Sequence, residues 1–398
     1  MMRTSRSILR RSVMATAGIA VTSLLLAACG TTGDSGGGTA GAAGAAGAQS
    51  SADDRFASLN TEIDALREPI TWPEPKALSK PVDFTGKTIW WVPIGASIPV
   101  INGFGEGVKE AVGRLGGEVR LCDGRFNPTD IGNCLKQAGE QKADGVITAF
   151  IDYAMLPNAF DSLVDQGVPV LVAGVPPTGN RQPGGGFSFL DPTPQVMKMY
   201  ETISKVGLVQ NGSKTNGLWL RLLDSQLTTR ASDAGIAEFR ELCPDCPLAT
   251  VDFTTANIDK LPSAVSAALV KNPGINTLLV PVDSFVQPAM QGVKTAGRTD
   301  IKIVSSSGDL QNMQAVAAGE QAGDIGTPVN YGGWQYVDGL ARLLAGDEVK
   351  AVDTLTNRFF DASNIKGLTL TPEAYLTGEW YGDTSYKDRF LAAWGAGE

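Results

Sequence analysis

From Lys87 to about Gly346 the chain repeats one rhythm, a short β-branched or apolar run followed by a helix-length amphipathic stretch. The first runs are TIWWVP (88–93), EVRLCD (118–123), GVITAF (145–150) and PVLVAG (169–174). Between them, GFGEGVKEAVGRLGG, DIGNCLKQAGEQ and AMLPNAFDSLVDQG carry apolar residues at three- and four-residue spacing, the pattern of helices with one buried face. Near-continuous apolar strands separated by helices imply a parallel sheet covered on both faces. After the Pro/Gly-rich passage VPPTGNRQPGGG the rhythm restarts with GLWLRLL (217–223), LATVDF (248–253), TLLVPV (277–282) and KIVSSS (302–307). The expected fold class is therefore α/β, two doubly wound parallel-sheet domains joined by a break. Ligands of open parallel sheets bind outside the carboxyl ends of the strands, so the loops after each strand are where a site belongs.

Composition narrows the chemistry. The 398 residues contain no histidine, which removes Ser-His and Cys-His nucleophiles and every His-ligated metal site. Net charge is −9, with no basic block beyond the first residues, which argues against nucleic acid and against electrostatic adhesion to anionic lipid. At 43% hydrophobic the chain can build real cores. No cofactor and no metal is expected.

The N-terminus reads as an export signal. Arg3, Arg6, Arg10 and Arg11 precede an apolar stretch over 13–28 that ends in small residues, too short for a comfortable membrane span. Leu26-Ala27-Ala28-Cys29 resembles the bacterial lipobox, which implies cleavage before Cys29 and lipid on its sulfur. The Gly/Ala-rich residues 29–50 then read as a flexible tether. Residues 51–86 hold one helix-like segment followed by PITWPEPKALSKP, which its prolines keep extended. In an exported chain the remaining cysteines, close in pairs, read as disulfides Cys122–Cys134 and Cys243–Cys246. A redox role for Cys243-Pro244-Asp245-Cys246 is disfavoured because the motif follows a helix, the wrong end for lowering a thiol pKa.

Three features imitate catalytic motifs. GFGEG (103–107) lies roughly nine residues beyond its strand, not in the turn a dinucleotide fingerprint needs. GLVQNGSKT (207–215) carries an extra Ser before its Lys and runs helix to strand, the reverse of a phosphate-binding loop. Asp152 and Asp191 are a formal carboxylate pair, but acids ending strands beside a cleft suit ligand hydroxyls better than proton transfer.

The ordered series KTIWWVPIGASIPVINGFGEGVKEAVGRLGGEVRLCDGRFNPTDIGNCLKQAGEQKADGVITAF, LVDQGVPVLVAG, TTRASDAGIAEF, VDSFVQPAMQGVKTAG and GGWQYVDGLARLLAGDE resembles the type I periplasmic binding proteins. These are the ribose-binding-like, substrate-binding receptors of ABC importers. The resemblance runs from Lys87 to Gly346 and implies a first domain over 87–190 and 328–352 and a second over 191–327. It leaves 353–398 as a hinge-crossing segment and tail. It further implies a monomer that closes around a small molecule and hands it to an ABC permease, held at the cell membrane on its outer side by the lipid anchor. A sensor for a membrane signalling kinase and a cell-envelope enzyme on the same fold are the alternatives.

Matched positions imply a ligand set. Ser97, Ile98 and Pro99 lie in the first cleft loop, and Phe104 opens the next helix where relatives stack an aromatic on a sugar ring. Asp152 and Asp191 follow strands or crossings, Arg230 matches an arginine that grips ligand oxygens, and Asp283 ends TLLVPVD. The chain departs from sugar receptors at Gly174, at Ser307 (with Asp309 two residues on) and at Thr327, where relatives carry an acid, an acid and a glutamine. Missing acceptors leave buried hydroxyls unpaired at roughly 1–3 kcal/mol each, so the ligand is expected to be less hydroxylated than a simple sugar. Tyr331 and Trp334 stand where an apolar cleft wall is expected, although helix packing explains them equally well.

Overall fold

A computed structural model describes residues 40–350 and 357–396, with side-chain surroundings from residue 54 onward. The leader, Cys29 and Asp353 lie outside the described residues. Helix α1 (Ala40–Arg67) begins inside the stretch read as a flexible tether. Over 40–50 alanine, the best helix former, outweighs the interspersed glycines.

Two adjacent tryptophans show how the first sheet acquires a core on each side. Side chains alternate across a strand, and in β1 (Thr88–Pro93) Trp90 and Trp91 enter different buried clusters. Helix α2 (Pro99–Arg114) packs on the Trp91 side, while α3 (Pro128–Glu140) and α4 (Pro157–Asp165) pack on the Trp90 side. Strands β2 (Glu118–Leu121), β3 (Gly145–Ala149), β4 (Val170–Ala173) and β5 (Phe187–Leu190) complete a parallel sheet in the order β2-β1-β3-β4-β5.

The second lobe repeats the plan. It contains α5 (Thr193–Asn211), β6 (Gly217–Leu222), α6 (Gln226–Leu242), β7 (Leu248–Phe253), α7 (Leu261–Lys271), β8 (Thr277–Leu279), α8 (Val286–Thr295), β9 (Lys302–Ser307), α9 (Leu310–Ala318) and β10 (Gly323–Gly326). Helix α10 (Val329–Ala345) returns to the first sheet, and β11 (Arg358–Phe360) pairs antiparallel with β10 at the edge of the second. The sheet order is β11-β10-β9-β8-β6-β7. Here Trp219 turns toward α5 and α6 while Leu218 and Leu220 turn toward α7 and α8. Leu59 and Ile63 of α1 join the Trp219 cluster.

Both expected disulfides are present: Cys122–Cys134 ties the end of β2 to α3, and Cys243–Cys246 closes the turn after α6. GFGEG lies wholly inside α2, and GLVQNGSKT runs from α5 through a turn into β6, so neither forms a phosphate cradle.

The segment from Ile70 and the stretch 357–396 pack against each other and the lobes. After α1, the extended stretch from Ile70 hydrogen-bonds along the C-terminal tail, which holds α11 (Pro372–Thr377) and α12 (Tyr386–Trp394). Ile70 N donates to Tyr381 O at 2.7 Å, Leu78 N to Ala393 O at 2.9 Å and Val82 N to Trp394 O at 3.1 Å. One buried cluster accordingly unites Trp91 and Leu171 of the first sheet, Met313 of α9, Phe360 of β11 and Trp394 of α12.

Candidate functional site

The second lobe supplies the charged side of the site through a turn that only an unusual backbone allows. Ser307, at the end of β9, has φ +132°, and Gly308 has φ +75°. A side chain at position 308 would also meet the Tyr381 hydroxyl at 2.5 Å, so glycine is required there for space as well as for conformation. The turn aims two successive amides at carboxylates. Gly308 N donates to Asp324 Oδ1 at 3.1 Å, and Asp309 N donates to Asp283 Oδ2 at 2.7 Å. Ser305 Oγ donates to Asp283 Oδ1 at 2.5 Å and lies 3.4 Å from Asp324 Oδ2. Gln321 Nε2 donates to Ser305 Oγ at 2.7 Å, and Tyr375 Oη donates to Asp309 Oδ1 at 3.3 Å.

Three carboxylates are thus buried together, and among the described residues no lysine or arginine pairs with them. Burial, then the neighbouring charges of Asp324 and Asp309, raises the Asp283 carboxyl well above its usual range. Burial pushes Asp324 up to about 7 and Asp309 up to about 6. Burial and mutual repulsion thus favour protonated forms across the cluster, most strongly at Asp283. Among the described residues no group of three or more His, Cys, Asp or Glu is arranged to hold a metal ion.

The first lobe faces this cluster with the start of α2. Ile98 is the N-cap and gives no side-chain cap, and Pro99 fills the first turn, so other first-turn amides are left without a side-chain acceptor. Between the lobes lies a cavity of about 530 Å³. Pro99 and Asn102 line it from α2, Asp283, Ser284 and Gln287 from the segment after β8, and Asp309 to Asn312 and Gln314 from α9 and its cap. Pro372, Tyr375 and Leu376 of α11 complete the wall. A second cavity of about 550 Å³, between α7 and α8, is lined by the second lobe alone, including Ile258, Pro262, Met290 and Lys294.

Of the sequence-derived candidates, the structure brings Pro99, Asp283 and Asp309 to the interlobe cavity. Ser97 is exposed and Ile98 half-buried in the loop just before it. The others have local employment. Asp152 caps the turn at 153–155, accepting from Ala154 N at 2.9 Å and from Thr178. Asp191 accepts from Thr193 N at 2.9 Å at the start of α5. Arg230 is exposed on α6 and does not line the cavity. Thr327 Oγ1 lies 3.6 Å from Met199 Sδ in the crossing to α10, and Ser307 is buried in its strained turn.

Phe104, Tyr331 and Trp334 are corrections. Phe104 stacks on Tyr336 of α10 at 5.1 Å and covers Gly332, so its face is already occupied by protein. Tyr331 is sandwiched by Trp72 at 4.8 Å and Phe390 at 5.5 Å, and Trp334 stacks on Trp394 at 5.5 Å. Helix packing, not a cleft wall, accounts for all three. Two residues after Ser307, Asp309 brings a carboxylate to the cavity wall. Sequence reasoning missed Asp324, a lone acid in the glycine-rich strand GDIG, and Tyr375, whose helix announces itself by Thr371 as N-cap with Pro372 behind it.

No family model matches the chain, and no curated protein does either. Solved structures do. An ABC sugar transporter subunit from Rhodobacter sphaeroides 2.4.1 superposes with TM-score 0.57 at 18% identity, covering 70% of this chain and 99% of that one. The 5-methylthioribose transporter solute binding protein from Thermotoga lettingae TMO gives TM-score 0.64 at 15% identity, over 80% and 99%. Caulobacter myo-inositol binding protein gives 0.59 at 16%, over 72% and 98%. The chain has the type I periplasmic-binding-protein fold. In that fold the interlobe cavity occupies the crevice beyond the carboxyl ends of both sheets, the position where open parallel sheets bind ligands.

Proposed function

We propose that this chain is an extracytoplasmic solute-binding protein that takes a small molecule into the cavity between its lobes and presents it to an ABC import permease. One observation carries the reading: Pro99 and Asn102 of one lobe face Asp283 and Asp309 of the other across a cavity of about 530 Å³. The neighbouring solved structures, named for sugar transport and solute binding, support it. Lipid attachment at Cys29 would hold the receptor at the membrane, and acylation at one residue by several chains anchors stably where a single chain does not. No described helix is long and apolar enough to cross a membrane.

The protein acts as a binder rather than an enzyme. Asp309 and Asp283 are tied to each other and to a tight turn, which suits holding a ligand in one orientation. Native mass spectrometry of protein purified from its own host tests the reading. A single unaltered small molecule bound per chain, displaced in an Asn102→Trp variant that fills the cavity, is the expected result. A molecule chemically changed on incubation, or one retained equally by the filled variant, would sink it.

A further inference from the structure

We propose that the cavity selects a polar small molecule carrying a protonated amine, which docks on Asp309 of the second lobe. This inference rests on the solute-binding reading above and names the ligand class for the same cavity.

The cavity wall holds unmet hydrogen-bonding capacity. Asp309 Oδ1 accepts from Tyr375 Oη, but Oδ2 accepts no hydrogen bond from any described residue, although Asp309 is only 5% exposed and lines the cavity. Ser284 Oγ, on the same wall, is buried and unpartnered. Behind the wall Tyr381 is 0% exposed, its hydroxyl also unpartnered and close to the Gly308 turn. Asp309 Oδ2 opens into the cavity, and the Ser284 hydroxyl on the same wall is buried without a partner, so together they mark where a ligand's donors belong.

Charge then selects the donor. Among the described residues no lysine or arginine lines the cavity, and the remaining polar lining consists of the neutral amides Asn102, Gln287, Gln311, Asn312 and Gln314. A neutral hydroxyl would satisfy Oδ2 geometrically while leaving the buried charge uncompensated. An ammonium does both, and charge-assisted hydrogen bonds are about twice as strong as neutral ones. Tyr375, on the α11 wall, adds an aromatic neighbour of the kind that favours cations. An anionic ligand is disfavoured by the same charges.

Matched pairs of probes test the class: glucosamine with glucose, galactosamine with galactose, mannosamine with mannose, and putrescine with 1,4-butanediol. Each is screened by thermal shift at pH 7.5, and hits are measured by calorimetry on wild type and on Asp309→Asn, whose folding is verified by circular dichroism. At least one amine should bind at least tenfold more tightly than its neutral partner, and Asp309→Asn should erase that preference. If the neutral partners bind equally or better, or if Asp309→Asn keeps the preference, the amine assignment is overturned while the solute-binding reading stands. Silence from both members of every pair overturns both.

Discussion

Asp309 carries a cost in the free protein that a variant can expose. Its carboxyl, pushed up to about 6 by burial, is protonated more readily in the folded chain than in the unfolded one. The ionised form therefore destabilises the fold above about pH 6, and that cost fades as pH falls toward the unfolded value near 4. Asp283, Asp324, Tyr375 and Tyr381 are the titratable groups facing it, and none offsets its charge with a positive one. Asp309→Asn is expected to stabilise the ligand-free protein by about 2 kcal/mol at pH 8 and to give almost no gain at pH 4. Paired thermal melts at the two pH values check this, and an equal effect at both would mean the charge is not the cause. At this scale the sequence was partly legible. Asp283 and Asp309 stood out because acids just beyond apolar strands are easy to see, whereas Arg230 was assigned by family position alone and lies exposed outside the cavity. Tyr375 escaped notice because its role depends on where a distant tail folds back.

The elements most easily read were those with a strong local pattern. β1, β6, β7 and β9 follow from apolar runs, and α2, α3 and α6 from one-sided periodicity. β5 was hidden behind its Pro/Gly-rich approach. β10, with the sequence GDIG, has little strand propensity of its own and is held by pairing with β9 and β11. Helix α12 likewise owes its place to packing. Trp394 stacks on Trp334 and donates from Nε1 to Asp338 Oδ1 at 2.8 Å, beside the buried Asp338–Arg342 pair at 2.7 Å. Trp394→Ala should therefore cost about 3–5 kcal/mol, measured by urea unfolding. A loss below 1 kcal/mol would show the tail to be an ornament. Replacing Cys122 and Cys134 together by serine opens a loop of 12-residue separation and should cost roughly 2–3 kcal/mol, read in the same assay.

At the scale of the whole molecule, two lobes joined by crossings near Asp191 and Thr327 would be free to hinge, and a ligand shifts such an equilibrium only through better contacts in the closed state. Here the extended segment after α1 and the C-terminal tail bind each other and both lobes. α11 packs against α2 and α10, with Asn330 Nδ2 of α10 donating to Leu376 O at 2.8 Å, and Gln314 Nε2 of α9 donates to Leu370 O just ahead of α11 at 3.3 Å. These terminal straps had no local signature beyond a helix and a run of prolines, since aromatic packing against the rest of the fold gives them their form. They predict a tightening of the cavity walls on binding rather than a wide swing. The direct measurement is hydrogen–deuterium exchange with and without the co-purifying solute. Protection should rise together in the segments near 97–104, 283–287, 309–314 and 373–376, which surround one cavity from both lobes and the tail. Protection confined to a single lobe, or centred on the α7–α8 groove at Ile258, Met290 and Lys294, would contradict the account.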